Sequence, residues 1–416
     1  MTLLHLVSEQ TMQNLLPLLA LKPRTVVQVR SREDRFHRAA ENLKRAVKAL
    51  QTTPGYRDLA PEFFEVVIDK TTPSTDQSRR KVGESLSLWP GAVVNLTGGT
   101  KPMAIGAYLA ADYQHEPVLY CDTQDRRFLS LNERHPLPKL PAFDEIAATL
   151  TVEAVLAAHG VNPESLRSTK PTDREITFAR HMNALRQQQG DSVGRFARRL
   201  REKLEPAGKP IPKSAIDRIL SDGLPGPDNE VEADYLRLAA EAGLLTERDG
   251  RWFYRLSGNT LRPEDRLRAA LAINKAMLGG WFELHVFDAM QASGRFGDLR
   301  TEVQSRDGSQ QSIGETDILG IDRQQLGLVF VSCKLSDEFL HKPLEHVFAT
   351  RHRALEYGGT FAQTLFCIRE FRDPNKRRTV SDACRMVRAR LVEGEPDFSI
   401  PTASSDNHKP PMVNPK

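Results

Sequence analysis

Two stretches of the chain bring together residue types that can act on phosphate. In Asn95-Leu96-Thr97-Gly98-Gly99-Thr100-Lys101-Pro102-Met103 a strand-like run gives way to two glycines, a threonine, a lysine and a proline. Glycines let a ligand approach the backbone, and the free N–H groups of a helix start, with Lys101 beside them, favour an anion. Thr100 can cap that helix, and Pro102 fits its first turn, where a missing amide hydrogen is harmless. The spacing is not that of a Walker A loop, because Pro102 follows Lys101 where Ser or Thr is required, and it is not GxGxxG. A tight strand-to-helix turn without a ligand is compatible with the same residues.

The second stretch lies nearer the C-terminus. Glu283 sits within MLGGWFELHVFDAM (277–290), a helical pattern apolar on nearly every side, where a carboxylate needs a cation or hydrogen-bond donors. Asp317 in GETDILG and Lys334 at the end of LVFVSCK fall on two predicted strands, and alternation lets an acid and a lysine on neighbouring strands face one point. Acids that hold Mg²⁺ or Mn²⁺, with a lysine beside the attacking water or the scissile phosphate, meet the needs of phosphodiester hydrolysis. Glu283, Asp317 and Lys334 are the expected catalytic set, with Glu283, Asp317 and the carbonyl of Cys333 as metal ligands. Glu315 shares a strand face with Asp317 and is the reserve acid.

These motifs carry a resemblance. NLTGGTKPM, after a first strand ending in Ser8-Glu9-Gln10, resembles the ligand loop of CRISPR-associated Rossmann-fold (CARF) domains, which dimerise and bind cyclic oligoadenylates across a two-fold axis. The resemblance implies a messenger pocket lined by Thr97, Gly98, Gly99, Thr100, Lys101 and Met103, with Ser8 and Gln10 from the loop after the first strand. Gln13, Asn14 and Arg30 lie nearby in the expected topology and read as ordinary surface residues. The Glu283, Asp317 and Lys334 arrangement resembles PD-(D/E)XK nucleases. That pattern wants an acid two residues before the lysine, and this chain has Ser332.

Together the two resemblances imply a CRISPR ancillary nuclease. It would be a homodimer that binds a cyclic oligoadenylate, with cyclic tetra-adenylate expected, and it would use Mn²⁺ or Mg²⁺ to cut DNA and/or RNA in type III antiviral defence. One alternative is a non-enzymatic sensor and transcriptional regulator with a degenerate nuclease domain; another is a sensor that cleaves its own messenger. Arg32-x4-His37 matches a minimal HEPN ribonuclease signature, but it falls in the Rossmann pattern and is ascribed to chance. His341, His346 and His352 read as helix-surface residues.

The composition fits this frame. At 416 residues, 39% hydrophobic and 27% charged, the chain has the make-up of a multidomain globular protein. No window offers the roughly 18–20 apolar residues a membrane-spanning helix needs, so no membrane partner is expected. MTLLHLVSEQ lacks a basic n-region and meets Glu9 at once, so it reads as a first strand, and a cytoplasmic location follows. Cys121, Cys333, Cys367 and Cys384 form no CxxC pair, which argues against structural zinc and a disulfide framework. A net charge of +4 permits nucleic-acid contact without requiring it.

Four regions are expected. Residues 1–145 alternate strands (3–7, 25–29, 64–68, 92–96, 117–120) with amphipathic helices. Phe36, Ala40, Leu43, Val47 and Leu50 form one stripe, so the sheet should be mainly parallel and Rossmann-like. Residues 146–265 read as a helical, winged-helix-like linker with a helix at 232–245 and a hairpin turning at Asp249-Gly250. Arg195, Arg198, Arg199, Arg201, Lys203, Lys209 and Lys213 there suit either a solvated face or a nucleic-acid track. Residues 266–400 read as an α+β, restriction-endonuclease-like domain: a long helix, strands at 302–306, 312–321, 326–333 and 360–368, and helices near 337–357 and 380–391. Residues 401–416 are polar and Pro-rich and should be disordered.

Overall fold

The computed structural model describes the chain except residues 124, 163, 165, 191, 197, 198, 200–219, 257–268, 271, 274, 275, 306–314, 338, 339, 341 and 399–416. The tail at 401–416 and Arg198, Arg201, Lys203, Lys209 and Lys213 of the basic track lie outside the described residues.

The N-terminal half alternates as the apolar runs require: β1 (Thr2–Leu6), α1 (Met12–Leu21), β2 (Thr25–Ser31), α2 (Asp34–Leu50), β3 (Glu62–Ile68), α3 (Thr75–Leu88), β4 (Val93–Asn95), α4 (Lys101–Tyr113), β5 (Val118–Asp122) and β6 (Arg127–Ser130). The strands order β3-β2-β1-β4-β5-β6, with every neighbouring pair parallel except β5–β6. All five stripe residues of α2 are buried. β6 was not expected, because RFLS is short and its turn carries no glycine; Arg126 takes the left-handed conformation there instead (φ 54).

The middle of the chain holds α5 (Phe143–Ala147), α6 (Val152–Ala158), β7 (Leu166–Thr169), α7 (Asp173–Gln189), α8 (Glu230–Glu241), β8 (Leu245–Arg248) and β9 (Arg251–Tyr254). Thr172 and Glu175 close a capping box at the start of α7. The expected hairpin forms, with Asp249 (φ 52) and Gly250 (φ 72) supplying the two left-handed residues of a tight turn. The expected helix at 232–245 stops at Glu241, because Leu245 already belongs to β8. Of the basic track, Arg199 binds Asp228 and the buried carboxylate of Glu232, so it ties the helical segment to itself.

The C-terminal part runs α9 (Trp281–Ala292), preceded by a π-helical turn at Ala276–Gly280, then β10 (Phe296–Ser305), β11 (Thr316–Asp322), β12 (Gly327–Ser336), α10 (Pro343–Gly358), β13 (Gln363–Glu370), α11 (Pro374–Met386) and β14 (Arg390–Glu393). Its sheet orders β14-β13-β12-β11-β10-β7. The helix expected at 380–391 ends at Met386. Arg388 turns left-handed (φ 56), the Ala389 N–H bonds the Cys384 carbonyl, and the chain leaves as a strand parallel to β13.

Described elements of the region 146–265 pack into both ends of the chain. β7 adds an antiparallel edge strand to the C-terminal sheet. Leu156 and Ala157 of α6 share one hydrophobic cluster with Leu15 and Leu43 from the first half and Leu319, Leu328, Phe330 and Tyr357 from the last. Polar contacts flank this seam: the Val152 N–H donates to Asp298 (2.8 Å), and Arg300 binds Glu153 (2.9 Å). Arg126 donates to the Arg323 carbonyl (2.8 Å) and to that of Gln324. An arrangement in which the middle segment alone links the two ends is therefore replaced by direct contact.

Glu395, just after β14, gathers His285 (2.9 Å), Asn183 (3.1 Å), Arg369 (3.0 Å) and Gln187, and so clamps α7, α9 and β13. Burial raises its carboxyl pKa, but the donors more than offset this and hold it below the ordinary carboxylate range. A depressed pKa stabilises the fold at neutral pH, and that stabilisation is lost as pH falls through the folded value. Because the carboxylate is half-exposed and screened, Glu395→Gln is expected to destabilise by only about 0.5–1 kcal/mol at pH 7. The difference from wild type in urea unfolding should shrink as pH falls below the carboxylate range.

Among the described residues, no helix is long and apolar enough to cross a membrane.

Candidate functional site

The glycine turn is built by hydrogen bonds that use up some of the residues expected to meet a ligand. Asn95 Oδ1 accepts from the Thr97 N–H (3.1 Å) and Oγ1 (2.6 Å), while Thr97 Oγ1 accepts from the Cys121 N–H of β5 (2.7 Å). The Thr97 hydroxyl thus shapes the turn. A Cβ on Gly98 would lie 2.2 Å from the Leu6 carbonyl oxygen, and Gly99 (φ 73) presses against the Leu6 side chain. Only glycine lets this turn lie on the end of β1.

The loop after β1 is stitched to the same place. The Ser8 N–H donates to Asn14 Oδ1 (3.2 Å), Asn14 Nδ2 donates to the Leu6 carbonyl (2.9 Å), and Ser8 Oγ accepts from the Gln10 N–H (3.2 Å). Gln10 is exposed and meets Gln13 (2.8 Å). Asn14, expected at the surface, is 2% exposed and organises this loop.

Thr100 is the N-cap residue of α4, yet its side chain makes no capping bond, and its buried Oγ1 has no partner among the described residues. Lys101 beside it is exposed. The amide donors at this helix start are therefore not answered by the threonine, and the helix dipole adds partial positive charge. Met103, expected in the pocket, is 2% exposed and packs with Leu4, Leu6 and Val94, so its side chain belongs to the core.

Arg30 binds Glu65 (2.9 Å) and reaches His37 (3.3 Å), away from the turn. His37, Glu41 and Glu65 could converge on a cation, but Arg30 and Lys44 already neutralise Glu65. Arg32 pairs with exposed Asp69 (3.2 Å).

The second site forms where β11 meets β12. Asp317 precedes the Ile318–Val331 pair, so Asp317, Ser332 and Lys334 share one sheet face. Asp317 Oδ2 accepts from the Cys333 N–H (2.7 Å), Ser332 Oγ (3.4 Å) and Lys334 Nζ (3.5 Å); Lys334 Nζ also donates to the Cys333 carbonyl (2.9 Å). Asp317 and Lys334 keep 14% and 23% of their side-chain surface, enough for contact from outside.

Glu283 is on α9, whose Phe282 and Val286 pack in one cluster with Val331 and Cys333. Burial pushes the Cys333 thiol pKa well up, Cys367 adds to the rise, and Asp317 and Glu283 both contribute. A thiolate is thus disfavoured, and the two carboxylates that act electrostatically on Cys333 are oxygen donors. Hard oxygen ligands of this kind fit Mg²⁺ or Mn²⁺.

Near this site lie His346, which the sequence marks as a helix-surface residue, and Arg353, which it does not single out. His346 of α10 is exposed; partial burial lowers its pKa and the charge of Lys334 lowers it further. Arg353 of α10 donates to the Glu315 main-chain oxygen. His352 is exposed beside Glu356 (3.6 Å), as expected of a helix surface, and His341 lies outside the described residues.

With both sites in view, comparison with known proteins is informative. Residues 2–152 match the family model of the Card1 CARF domain. No curated protein sequence matches the chain. Among solved structures, Can2 from Sulfobacillus thermosulfidooxidans, in complex with cyclic tetra-adenylate, is 17% identical, covers 95% of each chain and gives a TM-score of 0.62. Protein VC1899 from Vibrio cholerae is 11% identical over 94% of this chain and 93% of its own, with a TM-score of 0.66. A type III CRISPR defence DNA nuclease activated by cyclic oligoadenylate is 17% identical over 90% of this chain and 46% of its own, at a TM-score of 0.48. At such identities the first two likenesses concern fold. Residues 2–152 are thus a CARF domain, carried in a chain whose overall fold is similar to those of Can2 and VC1899.

Proposed function

We propose that the protein is a cyclic oligoadenylate-activated, metal-dependent nuclease of type III CRISPR defence. The observation that carries this reading is the cluster of Asp317, Lys334 and the Cys333 backbone, in the same chain as a CARF domain whose glycine turn opens on an uncapped helix start. In the C-terminal site, a PD-(D/E)XK-like one in this reading, Glu283, Asp317 and the Cys333 carbonyl hold Mn²⁺ or Mg²⁺, which when bound supplies an activated water and charge neutralisation at the phosphate. Lys334 sets the position of the Asp317 carboxylate and offers a cation to the scissile phosphate. In the CARF domain the Gly98–Gly99 backbone, Thr100 and Lys101 receive a phosphate of the messenger, for which cyclic tetra-adenylate is the first candidate, and Ser8 and Gln10 approach from the loop after β1.

The working unit in this reading is a homodimer. Ile105, Leu109 and Tyr113 recur every fourth residue along α4 and are 54%, 40% and 76% exposed, an apolar stripe on the helix that starts at the turn. Pairing the stripe with its copy about a two-fold axis brings two glycine turns towards one symmetric ligand. Leu109→Asp is accordingly expected to convert a dimer to a monomer in light scattering with little change in far-UV circular dichroism; a wild-type monomer with and without messenger would sink the dimeric reading.

The decisive experiment is incubation of the purified protein with labelled RNA and DNA, single- and double-stranded, with and without Mn²⁺ and with cyclic oligoadenylates of several ring sizes. Cleavage that needs both metal and messenger is expected. Ser332, where an acid belongs in the resembling nucleases, favours one alternative, a non-cutting regulator. Messenger binding without cleavage of any substrate would select it.

A further inference from the structure

The face that carries Asp317 and Lys334 is covered by α10. Even-numbered residues of β12 up to Lys334 and odd-numbered residues of β11 share that face, and Leu319, Ile321, Leu328 and Phe330 on it cluster with Ala354 and Tyr357 of α10. Arg353 precedes Ala354 and is partly buried at the seam. Its Nε donates to the Ala349 carbonyl (3.2 Å) within the helix, and its Nη1 donates to the main-chain oxygen of Glu315, two residues before Asp317.

The guanidinium is therefore fixed at one end to α10 and at the other to the chain that leads into β11. Arg353 is thus one of the contacts that hold this end of the strand, beside the Val303–Thr316 pairing with β10 and the Cys333 N–H bond to Asp317. Burial lowers the Arg353 pKa, and Asp317 and Glu315 act against that fall. An arginine still remains charged at any working pH.

We propose that Arg353 is a positioning residue of the hydrolytic site, holding the start of β11 so that the Asp317 carboxylate is set for a divalent cation. The inference rests on the nuclease reading above and adds a residue that none of the expected motifs includes. It also makes a prediction whose sign separates it from simple electrostatics. A cation near a metal site repels the metal, so removing the charge alone would tighten metal binding. Removing a positioning contact does the opposite, typically by about tenfold to a hundredfold in affinity or activity.

The test uses the full chain, with Mn²⁺ alone as probe in titration calorimetry and cleavage kinetics as a second readout. Arg353→Met, which lacks both charge and donor, is expected to bind Mn²⁺ at least about tenfold more weakly and to lose kcat with KM little changed. Arg353→Gln, which lacks the charge but keeps an amide donor for the Glu315 carbonyl, is expected to bind Mn²⁺ as well as the wild type or better. Wild-type or tighter Mn²⁺ binding by Arg353→Met overturns the inference. If Arg353→Met does not fold, as judged by circular dichroism, Arg353→Gln decides alone, and a tenfold weaker affinity there overturns it. Failure of the wild type itself to bind Mn²⁺ is a different result, which removes the nuclease reading and this inference with it.

Discussion

Asp317→Ala is expected to abolish cleavage, by at least about a thousandfold in kcat, while cyclic oligoadenylate binding at the other end of the chain survives. Asp317 is the acceptor on which the Cys333 N–H, the Ser332 hydroxyl and the Lys334 ammonium converge, so its loss removes the anchor of the lysine and, in the proposed reading, a carboxylate that would hold the metal. Glu283→Ala should abolish cleavage and weaken Mn²⁺ binding as well. Lys334→Ala should abolish cleavage with a smaller effect on metal affinity, since an ammonium does not ligate a cation. Ser332→Ala should do far less than any of these: a hydroxyl adds little to binding a hard dication, and its bond to Asp317 is long at 3.4 Å. Single-turnover assays beside calorimetry of Mn²⁺ and of messenger separate these outcomes. Wild-type cleavage by Glu283→Ala would make the helix carboxylate structural and turn attention to Glu315.

The second large effect is expected at the glycine turn. In Gly98→Ala the new methyl would sit 2.2 Å from the Leu6 carbonyl oxygen, so the turn must move off the end of β1. Messenger binding should be lost, and overpacking of this order lowers stability by about 1–3 kcal/mol. Lys101→Ala makes the contrasting case. Its side chain is exposed, so melting should not change. Loss of one charge-assisted contact should weaken messenger binding by about 1.5–3 kcal/mol, or about tenfold to a hundredfold. Calorimetry with cyclic tetra-adenylate and thermal melting of both variants would show the two patterns; unchanged affinity in Lys101→Ala would take the turn out of the binding site.

How far the sequence foretells these sites differs from residue to residue. β1 to β5 are legible because their β-branched and aliphatic runs alternate with an amphipathic stripe such as that of α2. The glycine turn is legible because its conformation leaves few other residue types possible. β6, β7 and β14 are not, since RFLS, LRST and RLVE are short edge strands of mixed polarity whose identity comes from partners distant in sequence. Asp317 and Lys334 follow from period-2 alternation, which fixes the face once the strands pair. Met103, which the resemblance implies in the pocket, has its side chain in the core, because a loop pattern does not say which side of α4 meets the sheet. Arg353 was missed because its link to Glu315 spans 38 residues and exists only once α10 has folded back across the sheet.

The hydrophobic cluster that α6 shares with both halves has a consequence for how the molecule melts. A seam of buried leucines and aromatic residues couples the unfolding of the two sides, unlike the polar, smaller interface of independent modules. Heating should then give one cooperative transition. A ligand bound at the N-terminal turn should raise the melting point of the whole molecule by mass action, so that protection at the turn is reported by probes placed anywhere in the C-terminal sheet.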